Sequence, residues 1–148
     1  MMRARDLMVP SPAVSLDSPV IDAANLMIES KLPGLIVLDE RGTPYSILSG
    51  TQVLRLAIPQ YCQEDPALAR VIDEAHADRF AEALSRRTVR QVLPDRPSEL
   101  PIADPDATLL ELAALMARTR CPLVAIVEKG RLLGAVALHP LMNRLFSA

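Results

Sequence analysis

The sequence predicts an α/β fold assembled twice over, with two small sheets packed together and covered by helices, each half a β-α-β-β-α unit. Three observations predict it. The chain repeats itself: "DSPVIDAANLM" (17–27) lies over "DATLLELAALM" (106–116) at an offset of 89 residues from Met27 to Met116. Internal repetition governs a fold and is read before any single element. The segments "GLIVLD" (34–39) and "LVAIVE" (123–128) are nearly continuous apolar runs, as strands covered on both faces require. Half of the 148 residues are hydrophobic, yet two Tyr and two Phe are the only aromatics, so the core is built from Leu, Val, Ile, Ala and Met.

Each unit opens with a short helix, "ARDLM" (4–8) matched loosely by "VRQVL" (89–93), and continues through an extended segment after a proline, residues 13–15 and 102–104. Asp17 or Ser18 is placed to cap the first long helix with Pro19 at its first position. Val20, Ala23, Ala24 and Met27 then form one stripe. In the second copy Asp106 is the expected cap, and Leu109, Leu112, Ala113 and Met116 form the stripe. "DERG" and "EKG" read as hairpin turns into "YSILS" and "LLGAVAL". A final helix follows in each unit, so that "SILSGTQVLRL" (46–56) falls on "GAVALHPLMNR" (134–144) after a one-residue deletion.

Between the copies, "EDPALARVIDEAHADRFAEALSRR" (64–87) predicts one or two amphipathic helices. Asp65 is the expected N-cap and Pro66 the first position, with Leu68, Val71, Ile72, Ala75, Ala83 and Leu84 at helical spacing. Its expected role is to join the halves and cover a dimer surface, with a docking surface for a partner protein as the alternative. His76 reads as an ordinary helix residue, having no second histidine at ligand spacing.

Composition excludes several functions. A net charge of −2 with scattered Arg and Lys argues against a nucleic-acid surface. The cluster Arg86, Arg87 and Arg90 reads as solvated charge at a helix end. Cys62 and Cys121 show no metal-ligand or CxxC spacing, as expected of reduced thiols in the cytoplasm. No apolar run approaches the roughly 20 residues of a membrane span. Phosphate-binding loops, dinucleotide fingerprints, nucleophile elbows and paired histidines are all missing, so the chain reads as a non-enzyme without a required cofactor or metal. Asp22 and Glu111, at matching repeat positions, read as solvated helix faces.

On the residues "DLMVPSPAVSLDSPVIDAANLM", "LPGLIVLDERG" and "SILSGTQVLRL" in the first half, and "DATLLELAALM" and "CPLVAIVEKGRLLGAVAL" in the second, the chain resembles a stand-alone CBS-domain pair, or Bateman module. The resemblance places one CBS motif at 1–58, a helical connection at 59–87 and the second motif at 88–148. It implies a pseudo-twofold arrangement with a ligand cleft between the sheets, a tendency to form homodimers, and regulation by AMP, ATP, S-adenosylmethionine or cyclic dinucleotides. An enzyme or transporter regulated in trans is the implied partner.

In that family a Ser or Thr followed three residues later by Asp grips phosphate and ribose; here Ser49 and Gln52 stand at those positions. S-x-x-Q is also a capping box, and the two roles are compatible. Gln for Asp loses the charge and one acceptor, which weakens a ribose grip by about one to two orders of magnitude. In the second copy Ala137 and Pro140 replace both groups. Thr51 and His139 fall where the family often places a basic residue near phosphate, His139 at the start of the last helix. Ala13, Val14, Pro33, Gly34, Leu35, Ile102, Leu123 and Val124 complete the expected walls, beside Leu32, Cys121 and Pro122. Two functions follow: a sensor of an adenosine-type ligand, or a dimeric interaction subunit that has lost nucleotide binding.

Overall fold

The computed structural model describes residues 1–71, 74–97 and 99–147, with the backbone alone at 74–77. The expectations for Ile72 and for the side chains of Ala75 and His76 fall outside the described residues. The elements run α1 (Ala4–Leu7), β1 (Ala13–Ser15), α2 (Val20–Ser30), β2 (Gly34–Leu38), β3 (Pro44–Ser49), α3 (Gly50–Ala57), α4 (Gln60–Glu64), a 3₁₀ helix (Pro66–Val71), α5 (Glu74–Ser85), α6 (Val89–Val92), β4 (Ile102–Ala103), α7 (Leu109–Thr119), β5 (Leu123–Glu128), β6 (Arg131–Ala137) and α8 (Leu138–Phe146).

The strands form two three-stranded sheets, ordered β1-β2-β3 and β4-β5-β6. In each, the first pair is parallel and the second antiparallel, and the repeat is kept in the register. Ala13 pairs Ile36 and Gly34 pairs Ser49 in one sheet, while Ile102 pairs Ala125 and Leu123 pairs Ala137 in the other. Lys129 and Gly130, both at positive φ (52° and 78°), form the two-residue loop between paired Glu128 and Arg131, the geometry of a type I′ turn. The first hairpin instead folds around Asp39, whose carboxylate accepts from the Arg41 and Thr43 amides at 2.9 and 3.0 Å.

Strand alternation explains the continuous apolar runs. Leu35 and Val37 point into a core shared with Val20, Ala23, Met27 and Val53, while Ile36 points the other way. Likewise Val124 and Ile126 meet Leu112, Met116 and Leu141, while Leu123 and Ala125 join Ile36, Ile47 and Ala135 in a third core between the sheets. Burying each such Leu, Ile or Val contributes roughly 1.5–3 kcal/mol.

The expected caps move by one or two residues. Pro19 itself is the N-cap of α2, with no side-chain bond, and Thr108 caps α7, accepting from the Glu111 amide at 3.2 Å. Asp17 is drawn instead to Arg90 and Asp106 to Arg5, ion pairs that compete for the carboxylates. Among its described residues the segment 59–87 carries α4, the 3₁₀ helix and α5. Asp65 accepts from the Ala67 amide at the start of a 3₁₀ turn, whose phase leaves the expected stripe residues Leu68 and Val71 exposed. Of the expected stripe residues whose side chains are described, Leu84 reaches a core, whereas Ala83 is exposed.

The first helices of the two units are exchanged. Ala4 is buried against the second half, where its amide donates to Ala107 and the Arg5 amide donates to Pro105. Val89 is buried against the first half, its amide donating to Ser18 and the Arg90 amide to Leu16. No helix among the described residues is long and apolar enough to cross a membrane.

Candidate ligand cleft

The β3–α3 junction closes the capping box. The Gln52 amide donates to the Ser49 hydroxyl at 3.2 Å, and the Ser49 amide donates to Gln52 Oε1 at 2.7 Å. The Ser49 hydroxyl also lies 3.2 Å from Oε1 and 3.1 Å from the exposed Thr51 hydroxyl. The one oxygen that Gln52 offers as an acceptor is thus turned back on the backbone. At the β6–α8 junction Ala137 takes the same N-cap position with no side-chain bond.

Backbone bonds hold the loop before each hairpin against its last helix. The Gly50 amide donates to the Pro33 carbonyl at 3.2 Å, and the Leu138 amide donates to the Pro122 carbonyl at 2.9 Å. Gly34 fits there because a Cβ would lie 2.9 Å from the Leu48 carbonyl oxygen. The other expected wall residues divide by burial. Val14, Leu35, Leu123 and Val124 have their side chains in the cores, leaving only backbone for a ligand, whereas Ala13 is half-buried and Ile102 on edge strand β4 is 47% exposed. Cys121 is buried, its thiol donating to the Leu123 carbonyl; burial pushes the thiol pKa up, partly offset by the backbone hydrogen bonding of Leu123 toward the sulfur.

Pro33 and His139, from opposite halves, meet at one cavity of about 550 Å³. Leu32 and Pro122 line it as expected, with Ala137, Leu138 and Pro140 beside His139. Lys31 and Val9 also line it, and the sequence reading did not find them. Lys31 ends α2 in the left-handed conformation, φ 57°. Val9 arrives from the N-terminal segment, bridging antiparallel to Ala135 through bonds of 3.0 and 2.9 Å. The signal for this was Gly134 inside an apolar strand, where a Cβ would stand 2.5 Å from the Val9 carbonyl oxygen.

Two further grooves are copies of each other. One, about 690 Å³, lies between α2 and α3 and is walled by Phe80, Ala81 and Leu84 of α5. The other, about 410 Å³, lies between α7 and α8 around Met116, Leu141, Met142 and Phe146. Among the described residues no helix walls the second groove as α5 walls the first, and Phe146 is 77% exposed.

Comparison with known proteins places this geometry. A crystal structure of a CBS domain-containing protein of unknown function from Kribbella flavida is 46% identical, covering 99% of this chain and 100% of that one with a TM-score of 0.84. The CBS domain of a membrane protein from Sphaerobacter thermophilus is 23% identical over 97% of this chain and 87% of that one, TM-score 0.72. CBSX2 in complex with AMP is 20% identical over 98% and 96%, TM-score 0.65. These last two show likeness of fold. No curated protein matches the chain. The CBS domain family model matches residues 4–58 and 89–139, so with its repeated sheets and the cleft between them the chain belongs to the CBS-domain family, as a tandem pair.

Proposed function

We propose that the chain is a regulatory, non-catalytic module that binds an adenosine-type ligand in the inter-repeat cleft and modulates a partner protein, an enzyme or transporter, in trans. The observation that carries this reading is the cavity of about 550 Å³ with walls from both halves. That volume lies within the roughly 300–1,000 Å³ of small-molecule sites. AMP in complex with CBSX2, a protein of the same fold, supports the ligand class. A ligand touching Lys31 to Pro33, Pro122 and His139 together favours one relative placement of the halves. It changes what a partner meets only through differential affinity for two arrangements. Thermal unfolding against AMP, ATP, S-adenosylmethionine and cyclic dinucleotides tests this reading. A ligand at 100 times its dissociation constant adds about 2.7 kcal/mol, and no shift with any compound refutes it.

The second reading, a dimeric interaction subunit without nucleotide binding, is favoured by the α7/α8 groove. Its twin is walled by a helix of the same chain, and Leu138, Met142 and Phe146 stand exposed along it. A second copy pairing through α7 and α8 covers that face.

A further inference from the structure

The lining of the His139-side cavity carries a statement about ligand chemistry. Its side chains are apolar apart from Lys31 and His139, and both of those reach it from exposed positions without a carboxylate partner among the described residues. Among the described residues no carboxylate, amide or hydroxyl side chain lines it. Three nearby backbone carbonyls each already accept one bond: Pro33 from Gly50, Pro122 from Leu138, and Val9 from Ala135. A vicinal diol there would meet no carboxylate able to accept from both hydroxyls, only the second lone pairs of those carbonyls and a ring nitrogen of His139, so it would gain little. An anionic group would instead meet the Lys31 ammonium.

From this we infer that the cavity selects a flat apolar ring carrying an anionic group and does not read ribose hydroxyls, so that ribo- and deoxyribonucleotides bind alike. Lys31 is the residue that sets the requirement for charge, with His139 beside it. This rests on the cleft reading above; Ser49 and Gln52 do not line this cavity, where Ala137 and Pro140 stand at the matching repeat positions.

Calorimetric titration of the whole chain with AMP, 2′-deoxy-AMP and adenosine tests it. AMP and 2′-deoxy-AMP are expected within about fivefold of each other, with adenosine weaker by about tenfold or more through loss of the charged contact. Lys31→Ala and His139→Ala, both at exposed positions, are expected to bring AMP toward adenosine. The double variant Ala137→Ser/Pro140→Asp supplies acceptors and is expected to favour AMP over 2′-deoxy-AMP by about tenfold. A ribose preference above fivefold in the unaltered chain overturns the inference while leaving nucleotide binding in place. So does AMP affinity indifferent to Lys31→Ala, or a double variant that opens no gap. If none of the three compounds binds, the cleft reading itself fails.

Discussion

Gln52 and Ser49 satisfy each other: the amide of each donates to the other's side-chain oxygen, at 3.2 and 2.7 Å. The pair that the resemblance assigned to a ligand therefore forms a helix cap. Ser49→Ala is expected to cost about 1 kcal/mol of stability, read as a lower midpoint in urea. Ala137→Ser in the other copy should gain less. Its third helical residue is Pro140, which has no N–H to donate to a capping hydroxyl.

Leu84 packs α5 into the core of the first half, at 7% exposed. Leu84→Ala is expected to destabilise by about 2–5 kcal/mol. Leu68→Ala on the neighbouring 3₁₀ turn, with the side chain 42% exposed, should stay within about 0.5 kcal/mol. Equal losses in chemical denaturation would contradict this division of the connecting segment.

Gly134 admits Val9 to the edge of the second sheet. Gly134→Ala is expected to cost about 1–3 kcal/mol through crowding against backbone, and hydrogen exchange should show faster loss at the Val9 and Ala135 amides. A variant with unchanged protection at those two amides would refute the contact.

Cys121 holds its thiol neutral by burial, so the folded chain keeps that proton more tightly than the unfolded one. The resulting stability is fully present below the unfolded value, 9.0 for an ordinary thiol here, and is lost as pH rises through the raised folded value. The stability gap between the wild type and Cys121→Ala should therefore shrink above pH 9.0. A gap independent of pH from 7 to 10 would contradict the shift.

Met142→Asp places a charge on the exposed α7/α8 groove. If two copies pair there, light scattering should show the variant as a monomer where the parent is a dimer, with an unchanged circular dichroism spectrum. A parent that is itself monomeric at tens of micromolar sinks the pairing surface.

The stripes of α2 and α7 were legible because the helical period fixes which face is buried, whereas the continuous apolar runs of β2 and β5 announced burial on both faces without saying which core each residue joins. Val20, Ala23, Met27, Leu112 and Met116 all reach the cores. The caps were less so, since Asp17 and Asp106 found arginines distant in sequence, Arg90 and Arg5, that local spacing does not reveal. Lys31 and Val9 escaped for the same reason: they reach the cavity through a helix end and an edge bridge, which the repeat alone does not announce.

The exchange of α1 and α6 sets the order in which the chain acquires its fold. While the ribosome delivers the first half, Val20 and its neighbours lack Val89, and Ala4 waits for Ala107, Val124 and Val136 to emerge. Neither repeat cut at its sequence boundaries retains its own opening helix in place. A single unit with this geometry could complete its core only by lending that helix to a second copy and borrowing one back, an exchange that here takes place within one polypeptide.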